Sequence, residues 1–342
     1  MSEKKIQIGG QAVIEGVMMR GPDQIATALR RKDGSVDLQK RSFVSLTQNH
    51  RIAKLPIIRG FVSLVEMMII GVKTLNFSAE RYEKDYQEHA TENSKSQKFQ
   101  ESMMVGLAFL FAFILFGYVP YLVSGMLNLS KNDVFFNLFA GSIRILFFVI
   151  YIYVISLIKD VRRVFEYHGA EHKAVFAHEK KVELTTVNVK PFTTLHPRCG
   201  TSFMFLVLLV AILIFSVIDT LIALGWGQYH EIAKCIFGMG ISEKVAKLLG
   251  ALVRLILHIP FFPLISGISY EIIKLSSRKA ESFWVRIITG PGMALQKITT
   301  RPPDDSQIEI AIIALKAALN DDLSAYQNIN EVSLEQIEGD KK

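Results

Sequence analysis

The chain has 342 residues, half of them hydrophobic and 21% charged, with a formal net charge of +7. A mean hydropathy of +0.29 is too high for an ordinary soluble domain, while the charge excludes a chain buried wholly in lipid, so the mixture predicts a membrane protein with substantial aqueous parts. The two cysteines, Cys199 and Cys235, are far apart and exclude a disulfide framework, and the opening MSEKKIQIGG lacks the apolar core of a signal peptide.

In chain order, residues 1–55 read as a small β-rich unit, with strands over about residues 5 to 50. KIQIGGQAVIEGVMMRGP is rich in glycine and β-branched residues, and Asp33-Gly34 between two partly alternating runs is a hairpin signal. Gly9, Gly10, Gly16 and Gly21 predict bulges or close backbone approach. No Gly-Lys-Ser/Thr accompanies them, so a phosphate loop is not expected. Residues 56–100 open on an apolar run, 56–78, in which Arg59, Glu66 and Lys73 recur every seven residues and line one helical stripe. A helix lying in the membrane interface fits best, with a re-entrant or fifth spanning helix as the alternative. Residues 79–100 are polar and read as a solvated helix or linker.

Residues 101–275 contain four stretches near the roughly 20 apolar residues that a bilayer requires. They are Met103 to Met126, Val134 to Ile158, Phe203 to Leu224, and about Ala246 to Ser269. The last carries Arg254, His258, Pro260 and Pro263. Arg144 and Asp219, in the second and third, are expected to pair; His258 reads as structural. The loop between the second and third spans holds Lys159, Arg162, Arg163, Lys173, Lys180, Lys181, Lys190 and Arg198, whereas the loop after the first holds only Lys131. By the positive-inside rule this middle loop and both termini are cytoplasmic. In residues 276–342, a second interfacial helix over 281–298 is expected to break at Gly290-Pro291-Gly292. Ser306 and Glu309 predict a capping box for an amphipathic helix with Ile308, Ile312, Leu315 and Leu319 on one face, and a mobile acidic tail follows.

The chemistry lies in two clusters of that middle loop, 159–202. HGAEH places His168 and His172 four residues apart, on one face of a helix extending from the second span, with Glu171 beside them. H-x-x-E-H is the spacing in which two histidines bind zinc and the glutamate is a general base. HPRCGTSF places His196 three residues before Cys199, at the start of the third span, where a helix N-terminus and Arg198 favour a thiolate. The loop folds back, so all four candidate ligands can meet; zinc ligation predicts that they converge to within about 5 Å. His178-Glu179 is a further candidate ligand or supporting pair. The plainer alternatives are solvated interfacial histidines, a small buried cysteine, and a glutamate paired with the basic loop.

GGQAVIEGVMMRGP at 9–22, YHGAEHK at 167–173, HPRCGTSF at 196–203 and ITTRPPDD at 298–305 occur in this order and resemble the bacterial YqhQ-like family, domain of unknown function 1385. The resemblance covers nearly the whole chain and implies a multi-pass protein of the bacterial cell (inner) membrane. The label often attached to that family, a predicted metal-dependent enzyme, implies a metal role for His168, Glu171, His172, His196 and Cys199. The first motif, with Gln11, Glu15 and Arg20 as its polar members, is expected to cover or complete the site.

The expected fold is therefore mainly α: a polytopic membrane helical bundle of about four spans, with a small β-rich N-terminal cytoplasmic unit and interfacial amphipathic helices. The expected function is that of a hydrolase-type enzyme dependent on a divalent metal, zinc by donor type, with His168, His172, His196 and Cys199 as ligands and Glu171 as base. Its expected partners are the bilayer and a lipid or membrane-tethered substrate, not nucleic acid. A scaffold or assembly factor with a structural metal site is the main alternative, and a transporter using Arg144, Asp219, Arg254 and His258 is the third.

Overall fold

Four short strands at the N-terminus form an antiparallel meander in the computed structural model, which describes residues 8–86, 134–278 and 282–332 and scattered positions between 103 and 126. They are β1 (Gly9–Val13), β2 (Gly16–Arg20), β3 (Gln24–Arg30) and β4 (Val36–Ser42). The expected Asp33-Gly34 hairpin joins β3 to β4, and Gly34 adopts φ +86°, where a side chain would be strained. Gly16 and Gly21 lie against the carbonyls of Ala28 and Ala318 as close-approach positions, whereas Gly9 meets nothing within 4 Å.

The sheet is covered on both faces because alternation along each strand gives it two apolar sides. One side, including Val17, Met19, Ala26, Ala28, Val36 and Leu38, packs on α3 (Lys159–Glu179) and α9 (Asp305–Leu319). The other side, through Val13 and Leu29, meets Phe77 of α1 (Ile58–Tyr86). The principal core thus joins three stretches that are far apart in sequence. The expected C-terminal amphipathic helix is instead a central core helix: Gln307, Ile308, Ile310–Leu315, Ala317 and Ala318 of α9 are all buried between the sheet and α3. Its capping box is Asp304 with Gln307, not Ser306 with Glu309; Ser306 donates to Asp304 instead. Within the expected mobile tail, β5 (Ile329–Glu331) pairs in parallel with β4; residues 333–342 lie outside the described residues.

The stripe on α1 is used in packing. Arg59 pairs with Glu271 of α7 (Phe262–Arg278), and Glu66 accepts from Ser45 Oγ at 2.8 Å and the Leu46 amide at 2.6 Å. The helix runs on to Tyr86, and the rest of the expected linker lies outside the described residues.

Among the described residues, three helices are long and apolar enough to cross a membrane: α2 (Val134–Ile155), α4 (Gly200–Trp226), and a composite, Glu243–Ser276, of α6 (Glu243–His258) and α7. A 3-10 turn at Ile259–Phe261, carrying Pro260, joins the halves of the composite. The first of the four expected spans lies partly outside the described residues; a shorter apolar helix, Gly106–Tyr118, occupies part of it. Between α4 and α6 lies the short α5 (Tyr229–Phe237).

Arg144 and Asp219 do not pair. Asp219 accepts from Tyr229 Oη at 2.6 Å, lies 2.8 Å from His258 Nε2 and bonds Arg254, because Arg254 and His258 share the face of α6 that meets α4. Arg144 Nε donates to the Phe116 carbonyl at 3.1 Å. Nor does α8 (Phe283–Thr299) break at Gly290-Pro291-Gly292. It continues through Pro291 because it is held against α4, so closely that a Cβ on Gly292 would lie 2.9 Å from Ser202.

Gly169, a residue of low helix propensity, sits inside an unbroken α3 because the chain at Arg301 crosses it: an added Cβ would lie 2.1 Å from the Arg301 carbonyl oxygen. Gly169→Ala therefore destabilises the fold by roughly 1 to 3 kcal/mol, although alanine is favoured over glycine in a helix by about 1 kcal/mol. Denaturant unfolding of the purified chain checks this; a stabilised variant would contradict the packing.

Candidate metal centre

His168 and His172 lie one turn apart on α3, with ring centroids 4.4 Å apart. Each ring is oriented by a main-chain carbonyl: His168 Nδ1 lies 2.8 Å from Thr299 O, at the end of α8, and His172 Nδ1 lies 2.5 Å from Thr194 O. A ring that donates from Nδ1 to a carbonyl presents an unprotonated Nε2, the usual arrangement behind a metal-binding histidine. His168 Nε2 is 3.2 Å from Cys199 Sγ. Donor atoms of His168, His172 and Cys199 all lie within 4.8 Å of one another, close enough to share one ion.

Cys199 is the N-cap of α4, and its buried Sγ accepts from the Thr201 amide at 3.4 Å. The helix starts there because Cys199 is extended and the apolar run begins at once after Gly200. Thus α3 supplies two donors and the α4 cap the third.

His196 stands beside this group, not within it. Its ring centroid is 5.6 Å from that of His172, and it packs on Phe176 at 4.5 Å. Its main chain is held on both sides by Gln296 of α8: the His196 amide donates to Oε1 at 2.8 Å, and Nε2 donates to the His196 carbonyl at 2.9 Å. The Arg198 amide lies 3.3 Å from His196 Nδ1, leaving His196 Nε2 buried without a hydrogen-bond partner. The nearest carboxylate, Glu179 Oε1, is 3.6 Å away and is paired with Arg198. His178 is not part of the three-donor group.

Glu171 is buried, with Oε2 3.4 Å from His172 Nε2. Burial pushes its carboxyl above the usual carboxylate range, opposed by the nearby His168 and His196 and by the Gly10 amide that bonds it. Burial also pulls His172 and His196 below the usual imidazole range, which keeps both neutral and their lone pairs available. The backbone of β1 closes over Glu171: a Cβ on Gly10 would lie 2.7 Å from Glu171 Cγ. This is a direct contact of the GGQAVIEGVMMRG motif with the site. Its polar members work elsewhere, Glu15 pairing with Arg163 at 2.6 Å and Arg20 lying 4.5 Å from the Phe43 ring centroid.

The family model described as "Protein of unknown function (DUF1385)" matches residues 55–321. An uncharacterised protein YqhQ of Bacillus subtilis (strain 168) is 32% identical over 346 residues, covering 96% of this chain and 98% of the relative. The chain belongs to the DUF1385 family. No solved structure matches it. The DUF1385 match spans α1 through α9, so it includes all three donors, Glu171, and the two carbonyls that orient the histidines.

Thr194, Thr299, Gln296 and Gly10 complete the site in this DUF1385 chain, and sequence reasoning did not single out the first three. Thr299 lies inside the ITTRPPDD stretch, but a carbonyl carries no residue-type signal. Gln296→Leu leaves the His196 amide and carbonyl and the Ser202 hydroxyl, now 2.7 Å from Gln296, without their buried partner. The expected loss is about 1 to 3 kcal/mol of stability, read by denaturant unfolding. A loss below a few tenths of a kcal/mol would mean that Gln296 does not hold the loop.

Proposed function

We propose that this DUF1385 protein is a multi-pass protein of the bacterial cell membrane with a divalent-metal centre, zinc by its donor types, at the cytoplasmic face, and that the centre serves a hydrolase-type reaction. The observation that carries this is the convergence of two carbonyl-oriented imidazoles and a helix-capping thiol within 4.8 Å. Two histidines and a cysteine are a natural zinc set, and three protein ligands leave the fourth position that catalytic sites keep open.

Four membrane crossings are supported by parity. The N-terminal sheet, α3 and α9 share one core and so lie on one side of the membrane. Between α3 and α9 the chain has two long apolar segments, α4 and the α6–α7 composite. Between the sheet and α3 it has α2, so a second crossing is required before it, and the apolar stretch Met103 to Met126 is the candidate. The basic residues of α3 and its loop support a cytoplasmic position for this side.

His168, His172 and Cys199 would hold the ion. When bound, it supplies Lewis-acid polarisation of a carbonyl or phosphoryl oxygen and acidifies a water. Glu171 Oε2, adjacent to His172 and made more basic by burial, would take the water proton. With Nδ1 accepting from Arg198, His196 carries its proton on the unpartnered Nε2 and would donate to the substrate oxygen. A lipid or membrane-tethered substrate fits a site at that surface.

One observation favours a second reading, in which the metal only clasps α3, the 196–199 loop and the end of α8: the Gly10 backbone seals Glu171. Cobalt-loaded protein separates the two. Tetrahedral cobalt bands with a thiolate transition, shifted by added cyanide, are expected for an open position. Bands that cyanide leaves unchanged would select the structural clasp, and an absence of bands would refute both. Glu171→Gln is expected to keep the bands, since this carboxylate is not a ligand.

A further inference from the structure

A cavity of about 310 Å³ lies between β3–β4 and α1, on the sheet face away from α3. It owes nothing to the metal reading. Arg41 and Lys73 line it, with Ile25, Thr27, Phe43 and Ile69 among its walls. The volume is at the lower end of those that hold small molecules, roughly 300 to 1,000 Å³.

The two cations differ: Lys73 is exposed at the mouth of the cavity, whereas Arg41 is partly buried. Arg41 Nε is buried without a hydrogen-bond partner, and among the described residues no carboxylate pairs with Arg41 or Lys73. Burial without a counter-charge pulls the Arg41 guanidinium below its ordinary range. Glu66 also lines the cavity, but its oxygens are already engaged by Ser45 and the Leu46 amide. Gln39 shares the Arg41 face of β4 by alternation and is opposite Thr27; its Nε2 is also buried without an acceptor. A buried guanidinium donor without an acceptor is costly, and an anion is the ligand that Arg41, with the open Lys73 beside it, lacks.

The rest of the lining sets the other half of the ligand. Ile25, Phe43 and Ile69 are apolar, and the wall continues onto the exposed apolar strip of α1 at Met68, Ile69 and Val72, which are 61%, 52% and 58% exposed. Such a strip suits contact with a membrane surface. We propose that this cavity binds the phosphate headgroup of an anionic phospholipid, with Arg41 and Lys73 on the phosphate and the acyl chains along the apolar strip of α1.

The test uses the full chain in a neutral detergent, titrated with short-chain phosphatidylglycerol, phosphatidylcholine of the same chains, and inorganic phosphate. Adducts are counted by native mass spectrometry. Phosphatidylglycerol is expected to bind about tenfold or more tightly than either comparator. Arg41→Gln with Lys73→Gln is expected to remove that preference, whereas Lys40→Gln, whose ammonium pairs with Glu331 at 2.6 Å, retains it. Equal binding of the two lipids overturns the proposal. So does phosphate binding as tightly as the lipid, which would mark a free-phosphate site, or a folded double variant that binds like the parent. The lipid comparison on the unaltered chain decides the matter even if the double variant does not fold.

Discussion

Two main-chain carbonyls, Thr299 O and Thr194 O, fix the imidazoles of His168 and His172, and the candidate centre exists only because they do. Without them neither ring would have its Nδ1 proton fixed, and neither Nε2 would be held unprotonated toward Cys199. The carbonyls come from the ends of segments that must themselves be in register: Thr299 closes α8, and Thr194 belongs to the loop that Gln296 of α8 clamps through His196. The face of α3 that carries the histidines is thus fixed by α8 and its following residues, while another face is fixed by the sheet and α9.

Close backbone approach explains the two glycines nearest the site. Gly169 lets the chain at Arg301 cross α3 between the histidines, and Gly10 lets β1 lie on Glu171. In each case a side chain is omitted so that the main chain can approach closely, and at Gly10 the amide thereby reaches buried Glu171. This joins the N-terminal motif to the histidine helix through the backbone, and explains why Gln11, Glu15 and Arg20 told so little about the site.

Much of the local structure was legible in the sequence because it is encoded locally. The Asp33-Gly34 turn, the spacing of His168 and His172, the long apolar helices and the start of α4 at Cys199 all follow from residue type at short range. What was not legible depends on partners distant in sequence. Ile308, Ile312, Leu315 and Leu319 read as one apolar face, but the alanines and isoleucines between them are buried too, since sheet and α3 enclose the helix from two sides. Ser306 was the expected cap, but the box forms two residues earlier, where the Gln307 side chain bonds the Asp304 amide. Arg144 was the expected partner of Asp219, but helix facing gives that place to Arg254. Of the four expected ligands, three converge, while His196 is drawn aside by Gln296 and Phe176.

We propose that His168, His172 and Cys199 form one metal site. Metal analysis of the purified full chain beside His168→Ala and His172→Ala tests it most directly. About one equivalent of a divalent metal, zinc by donor type, is expected in the parent chain, with most of it lost in either variant. The same trace amount in all three proteins would contradict the claim.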